Sequence, residues 1–179
     1  MKQVTQSLSN GNVEIVDLPI PSIDKNQLLI RSACSLISGG TERMLINFGN
    51  SNILQKAKQH PDKLKDVLNK MFVDGPVSTL DAVSSKLEEP IPLGYSNVGE
   101  IIAKGENVSE YKVGDRVVSN GPHAEYVIVN KNLCAKIPED VTYDEAVFTV
   151  PASIGLQGIR LAEPTLGENF LIIGLGLIG

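Results

Sequence analysis

The sequence predicts a β-rich barrel or sandwich with a helical insert, followed by the start of an α/β nucleotide-binding unit. Short apolar runs separated by Gly- and Pro-rich turns occupy residues 12–34 and 93–137, as in small barrels and sandwiches. Residues 51–89 follow the helical period instead. A continuous apolar run at residues 169–173 then leads directly into Gly-Leu-Gly-Leu-Ile-Gly, the order in which a strand meets a dinucleotide-binding loop.

The composition excludes nucleic acid as the main partner. Lys and Arg number 16 against 21 Asp and Glu, a formal net charge of −5, so no basic surplus is available to neutralise phosphates. The chain has no Trp, four Tyr and four Phe, so it offers few rings on which bases could stack.

The cysteines and the apolar runs predict a cytoplasmic protein that does not enter a membrane. The two cysteines, Cys34 and Cys134, are too few for a secreted disulfide framework, and we expect both to be small buried hydrophobes. Residues 1–6 lack the apolar run of a signal peptide. The apolar run at residues 170–178 is too short to cross a bilayer.

The first third of the chain predicts two strands. Residues 12–17 alternate apolar and polar side chains and stop before two prolines. Residues 27–34 form an apolar run with the length of a buried strand, and residues 21–26 between the two runs have turn composition.

The insert at residues 51–89 predicts two helices. The first has its apolar side chains at positions that share one helical face: Leu64, Val67, Leu68, Met71 and Phe72. Gly75-Pro76 ends it, and Ser78 with Asp81 predicts a capping box for the second. Aspartates balance the lysines, so a solvated helical face is favoured over a basic partner surface.

Strands return after the insert. We expect them at residues 99–103, 116–118, 124–129 and 133–137, separated by Gly-rich turns. Asp140 and Thr142 are candidate N-caps for a helix that begins at Tyr143 and breaks at Pro151. A second helical piece is expected at residues 153–162.

The glycines after the apolar run at residues 169–173 are the candidate cofactor-binding residues. Gly174, Gly176 and Gly179 let a chain turn tightly and let a pyrophosphate approach the backbone. The alternative is a Gly-rich turn of another α/β unit. Because the helix and the acidic residue that complete such a site do not follow within the chain, we expect a fragment of a longer protein or an apolar run covered by other chains.

Several motifs together resemble the medium-chain dehydrogenase/reductase family, which joins a GroES-like catalytic domain to a Rossmann domain. The matching segments are residues 28–41, Pro-Leu-Gly-Tyr-Ser-Asn-Val-Gly-Glu at 92–100, Tyr-Lys-Val-Gly-Asp-Arg-Val at 111–117, residues 124–126 and residues 167–179. The resemblance implies a GroES-like barrel at residues 1–148 with the insert at 51–89, a connecting helix at 149–166, and the first strand and glycine loop of a truncated Rossmann domain at 167–179.

The resemblance also predicts that zinc is absent. Gly39 stands where zinc-dependent members have a Cys, and Tyr95 followed by Ser96 stands where they have His and Glu. No Cys or His lies near residues 151–153, where the third ligand falls. Together with the helical insert, this pattern is similar to bacterial zinc-lacking reductases that continue into a second oxidoreductase module and often act in sugar metabolism.

Without zinc, hydroxyl groups become the candidates for contacting the substrate oxygen. Thr41 and Tyr95 match positions that line the family's substrate cleft, and either hydroxyl can donate a hydrogen bond to a developing alkoxide. The alternative is that Tyr95 packs in the core and Thr41 belongs to the turn Gly39-Gly40-Thr41-Glu42. We expect Glu42 to orient this loop and His123 to be structural or solvated.

Two functions remain open. The first is the substrate-side part of a zinc-independent oxidoreductase that uses NAD or NADP to transfer hydride to or from an alcohol or carbonyl compound, such as a sugar derivative. The second is a non-catalytic GroES-like module for assembly or ligand binding. If the protein is an enzyme, we expect its partner to be a small-molecule substrate, and a homodimer is one alternative for its oligomeric state. Residues 1–179 alone are expected to be inactive.

Overall fold

The computed structural model describes residues 1–50 and 89–179. The described elements are, in chain order, β1 (Lys2–Gln6), β2 (Val13–Asp17), β3 (Gln27–Ser35), α1 (Gly39–Asn50), β4 (Ile91–Pro92), β5 (Asn97–Lys104), β6 (Arg116–Ser119), β7 (Tyr126–Asn130), a 3₁₀ turn (Lys131–Leu133), β8 (Cys134–Lys136), α2 (Tyr143–Ala146) and α3 (Thr149–Ala162).

A five-stranded antiparallel sheet in the order β7-β3-β5-β6-β8 is the centre of the fold. The prediction of strands in all five of these regions is confirmed. Strand β3 lies between β5 and β7 and is buried along Leu28–Ile30 because its apolar run has neighbours on both edges. The main core cluster comprises Leu28, Ile30, Ile101, Val108, Tyr111, Val117, Val127 and Val129.

A three-stranded sheet in the order β2-β1-β4 lies beside it. A single bridge between Gln3 and Ala124 joins this sheet to the residues that precede β7. Strand β2 is confirmed at Val13–Asp17, whereas β1 was not predicted because polar side chains dominate it. Gln6 is fully buried and its amide Nε2 donates to the Leu45 carbonyl 2.8 Å away, so a polar side chain here does not indicate exposure.

The helices correct two predictions. Residues 39–42, expected to be a turn, form the first turn of α1, where two glycines conceal the helix because they are weak helix formers. Pro151 does not break a helix but lies in the first turn of α3, where its missing N–H would have no intrahelical partner. The predicted N-cap at Thr142 is confirmed, with a capping box to Glu145.

Two predicted features, the helices of the insert and the strand at residues 169–173, are not confirmed. The helices expected in the insert fall on residues 51–88, outside the described residues. Residues 169–173 are exposed and form no strand, since no other described strand lies beside them to share hydrogen bonds. The first strand of a Rossmann domain therefore stays a prediction.

None of the helices in the two described ranges combines the length and the apolar character needed to cross a bilayer.

Candidate functional site

The two predicted site hydroxyls lie at the edges of one buried polar cluster. Thr41 is exposed in the first turn of α1, and Tyr95 is half-buried in the link between β4 and β5. The residues next to them, Glu42 and Gly94, both contact the side chain of His123. The structure therefore brings these two predicted segments together around a histidine.

His123 has a hydrogen-bond partner on each ring nitrogen. Its Nε2 lies 3.2 Å from Oε2 of Glu42, and both side chains are only 10% exposed. Its Nδ1 lies 2.8 Å from Oγ of Ser35, at the end of β3. The ring thus connects a serine hydroxyl to a carboxylate, and the name relay cluster is used below for Ser35, His123 and Glu42.

Glu42 is held in place by the start of its own helix. Its second carboxylate oxygen, Oε1, accepts the backbone N–H of Ser38 at 2.7 Å. This bond satisfies an N–H just before α1, which has no intrahelical partner. Glu42 orients the loop, as expected, and the same contact fixes its other oxygen toward His123.

The backbone of His123 is anchored on both sides. Its N–H donates to the Leu93 carbonyl at 2.7 Å, and its carbonyl accepts the N–H of Val4 at 2.9 Å. Gly94 has φ +92°, and a Cβ there would lie 2.8 Å from three carbons of the imidazole ring. Only a glycine therefore lets the link between β4 and β5 pass this close to the ring.

Further hydrogen bonds fix the segment that carries Tyr95. The Ser96 carbonyl accepts the N–H of Leu36 at 2.9 Å. The Ser96 hydroxyl, itself buried, donates to the Val147 carbonyl at 2.6 Å. The segment is therefore tied both to the end of β3 and to the helical region that follows β8.

Sequence reasoning missed the relay cluster. Of the two expectations for His123, structural or solvated, burial favours the first, since the residue is 9% exposed. Glu42 lies 81 positions away along the chain and Ser35 lies 88 positions away. No local spacing links the three residues, and the position of His123 after Gly121-Pro122 indicates only a turn.

A shallow cavity of about 380 Å³ opens beside the relay cluster. Ser35 and His123 line it, whereas Thr41 and Tyr95 do not. Ser35 and His123 are therefore the members of the cluster that lie toward this cavity, and Glu42 lies at the opposite nitrogen of the ring, at the start of α1.

The cysteines are half-buried and unpaired with each other. Cys134 packs against the main core cluster, and burial raises the pKa of its thiol to about 12. Cys34 lines the cavity, and its pKa is raised by burial and then by the negative charge of Asp144. Neither environment produces a thiolate near neutral pH.

The described residues do not offer an obvious metal site. In neither described range do three or more His, Cys, Asp or Glu side chains cluster as metal ligands would. Gly39 and Pro151 carry no ligand atom in their side chains, so these predicted ligand positions do not fit zinc.

The glycine loop at residues 174–179 is exposed, and two of its three glycines have open space beside them. Gly174 has φ +96°, and a Cβ at Gly174 or Gly176 would meet no atom within 4 Å. A Cβ at Gly179 would instead collide with the Gly174 carbonyl. The same open space lies beside Gly158 and Gly167, so a phosphate-binding role of Gly174, Gly176 and Gly179 stays a prediction.

Part of the chain matches a known domain and a known enzyme in sequence. The alcohol dehydrogenase GroES-like domain matches residues 71–139. D-guloside 3-dehydrogenase of Escherichia coli is 39% identical over 90 residues, which cover 49% of this chain and 26% of that enzyme.

Two solved structures show the same fold. Galactitol-1-phosphate dehydrogenase of E. coli has a TM-score of 0.70 at 20% identity, over 99% of this chain and 50% of that chain. The E. coli quinone oxidoreductase in complex with NADPH has a TM-score of 0.62 at 12% identity, over 90% and 41%. The chain thus spans about half the length, or less, of these proteins. The chain is similar to proteins of the medium-chain dehydrogenase/reductase family, and the match to a family model lies in the GroES-like domain.

Proposed function

We propose that this chain is the substrate-side part of an NAD(P)-dependent oxidoreductase that transfers hydride between a nicotinamide and an alcohol or carbonyl carbon. The observation that carries the proposal is the meeting of the two segments that match the family's substrate cleft, residues 39–42 and 94–96, around His123. A module retained only for assembly has no need to bury a histidine with a carboxylate and to hydrogen-bond both into one cluster with a hydroxyl at that point.

The cofactor is proposed to bind at the glycine loop. Gly174, Gly176 and Gly179 would hold the pyrophosphate with their backbone, as the space beside Gly174 and Gly176 allows. When bound, a nicotinamide supplies or accepts the hydride. That a family relative of this fold was solved with NADPH supports a cofactor of this class.

The reaction is proposed to proceed without zinc. The ligand positions at Gly39, Tyr95 and Pro151 do not fit the metal, so polarisation of the substrate oxygen falls to hydroxyl groups. Thr41, exposed on α1, and Tyr95, half-buried beside Gly94, are the proposed donors. A donor aimed at a developing alkoxide stabilises the transition state more than the ground state.

The proposed substrates are polyhydroxy compounds such as sugars and their alcohols. D-guloside 3-dehydrogenase and galactitol-1-phosphate dehydrogenase, the first of them similar in sequence and the second in fold, act by their names on molecules of this class. Hydroxyl donors such as Thr41 and Tyr95 suit such oxygen-rich substrates.

Binding and turnover of the full-length protein test the proposal. We expect saturable binding of NADH or NADPH by fluorescence titration, with weakened binding in Gly176→Val because the valine side chain fills the open side of the loop. Gly158→Val, also at a glycine with open space beside it, is the control for a general effect of the substitution.

Turnover with sorbitol or glyceraldehyde should persist after dialysis against a chelator, with no zinc detected by elemental analysis. Absence of saturable cofactor binding would overturn the proposal that the protein is an NAD(P)-dependent oxidoreductase. Cofactor binding without turnover of any alcohol, aldehyde or sugar would favour the non-catalytic module, and stoichiometric zinc would overturn the metal-free mechanism alone.

A further inference from the structure

Both hydrogen bonds of the relay cluster involve the imidazole of His123, with a carboxylate on one side and a hydroxyl on the other. His123 and Glu42 are both about nine-tenths buried, and removing such groups from water is unfavourable unless they bind one another. Ser35 adds a hydroxyl that can donate or accept. The cluster extends from the cavity lined by Ser35 to the start of α1.

We infer that Ser35, His123 and Glu42 form a proton relay for the proposed reaction and hold the proton exchanged with the substrate oxygen. The inference rests on the proposed function, because a relay needs a reaction that releases or consumes a proton. The three residues act through their neighbours and are positioning residues, whereas Thr41 and Tyr95 are the groups proposed to touch the substrate.

The hydrogen-bond inventory of the three side chains determines how the relay works. A carboxylate only accepts, so Nε2 of His123 carries the hydrogen directed at Glu42. In the neutral ring Nδ1 is then bare and accepts the Ser35 hydroxyl. In the protonated ring Nδ1 donates to Ser35, which leaves the hydroxyl hydrogen free to turn toward the cavity. Protonation of the ring therefore needs no movement of heavy atoms.

The proton balance is simple for carbonyl reduction. The hydride forms the new C–H bond, the π electron pair of the carbonyl moves to oxygen, and that oxygen takes one proton to give the alcohol and the oxidised nicotinamide. Because Glu42 is buried and does not line the cavity, the inferred path hands this proton from His123 through Glu42 to the hydroxyl of Thr41, the preceding residue of α1, which is exposed. Ser35 is the end at which water in the cavity restores it. Alcohol oxidation runs the same path in reverse.

Other titratable groups lie near His123, and their contributions to the pH dependence of kcat must be distinguished from that of the relay cluster. Lys2 on β1, Cys34 on β3 and Glu125 before β7 line the same cavity as the ring. Glu125 is exposed and its carboxylate accepts the N–H of Lys2 at 2.8 Å. A Glu125→Gln variant identifies any contribution of this carboxylate to the pH profile.

The test uses the full-length protein with NADPH and glyceraldehyde. We expect Glu42→Gln and His123→Gln to lower kcat about 100-fold, with KM changed less than about threefold, and to remove one ionisation from the pH dependence of kcat. Glu100→Gln, which removes an exposed carboxylate paired with Arg31, and His60→Gln, at the other histidine of the sequence, are the matched controls.

A second pair of variants keeps the test decisive if the buried substitutions fail to fold. Ser35→Ala removes the hydroxyl at the cavity end and should lower kcat about tenfold. Ser35→Thr keeps a hydroxyl and should restore it. Equal kcat values and unchanged pH profiles in wild type, Ser35→Ala and Glu42→Gln would overturn the relay and leave the proposed function standing. Absence of turnover in the wild type would overturn both.

Discussion

Replacing Gly94 with alanine tests how tightly the fold is built around His123. Gly94 has φ +92°, a conformation that costs an alanine about 1–2 kcal/mol. The added Cβ would lie 2.8 Å from the ring carbons Cδ2, Cε1 and Cγ of His123. The ring cannot move away without breaking a buried bond to Ser35 or Glu42, and such a loss costs about 1–3 kcal/mol. We therefore expect Gly94→Ala to lower the free energy of unfolding by about 2–5 kcal/mol.

Gly114→Ala is the matched control for this measurement. Gly114 has φ +93°, but a Cβ there would meet no atom within 4 Å, so it carries the backbone strain alone, about 1–2 kcal/mol. The gain from a less flexible unfolded chain is the same in both variants and cancels. Urea unfolding followed by circular dichroism measures both. Equal destabilisation of the two variants would refute the close packing of His123 on Gly94.

Three further outcomes are expected. Glu42→Ala should lower the free energy of unfolding by about 3 kcal/mol, because it leaves His123 buried without its partner, whereas Glu100→Ala at an exposed pair should cost less than about 1 kcal/mol; urea titration distinguishes them. Cys134, with its pKa raised from 9.0 to about 12, should react with a thiol reagent at pH 8 about a thousandfold more slowly in the native than in the unfolded protein. Because the folded pKa is the higher one, the stability contributed by the buried neutral thiol is complete below pH 9 and declines as the pH rises toward 12. Thr142→Ala should lower the melting temperature through the loss of about 1 kcal/mol from the capping box.

The strands of the larger sheet were predictable because apolar side chains decide their position. Gln27–Ser35 shows this most clearly, since its apolar run has neighbouring strands on both edges. Strand β1 was not predictable from the same rule. Its side chains at Thr5 and Gln6 are buried but polar, and the hydrogen bond from Gln6 Nε2 to the Leu45 carbonyl is a contact that a hydrophobic pattern does not record.

The candidate site was predictable only in part, for a related reason. Family motifs identified the segments that carry Thr41 and Tyr95, since both are local in the chain. The partnership of Glu42 with His123 joins α1 to the residues before β7 and depends on how the two sheets are assembled. Glycine is a weak helix former, so Gly39-Gly40 does not predict the start of a helix. The placement of Glu42 on the first turn of α1 was therefore not expected.

The amino-terminal strand has a practical consequence for anyone who engineers this protein. Val4 donates to the carbonyl of His123, Leu93 donates to the carbonyl of Val4, and the Met1 ammonium group donates to the Leu18 carbonyl. Trimming residues 1–5 would remove the Val4 N–H that binds the carbonyl of His123, and a bulky tag fused directly to them would disturb the same contact. Every predicted site residue would still be present. A purification tag is better placed elsewhere, because a loss of turnover after such a fusion would be misread as a defect in chemistry.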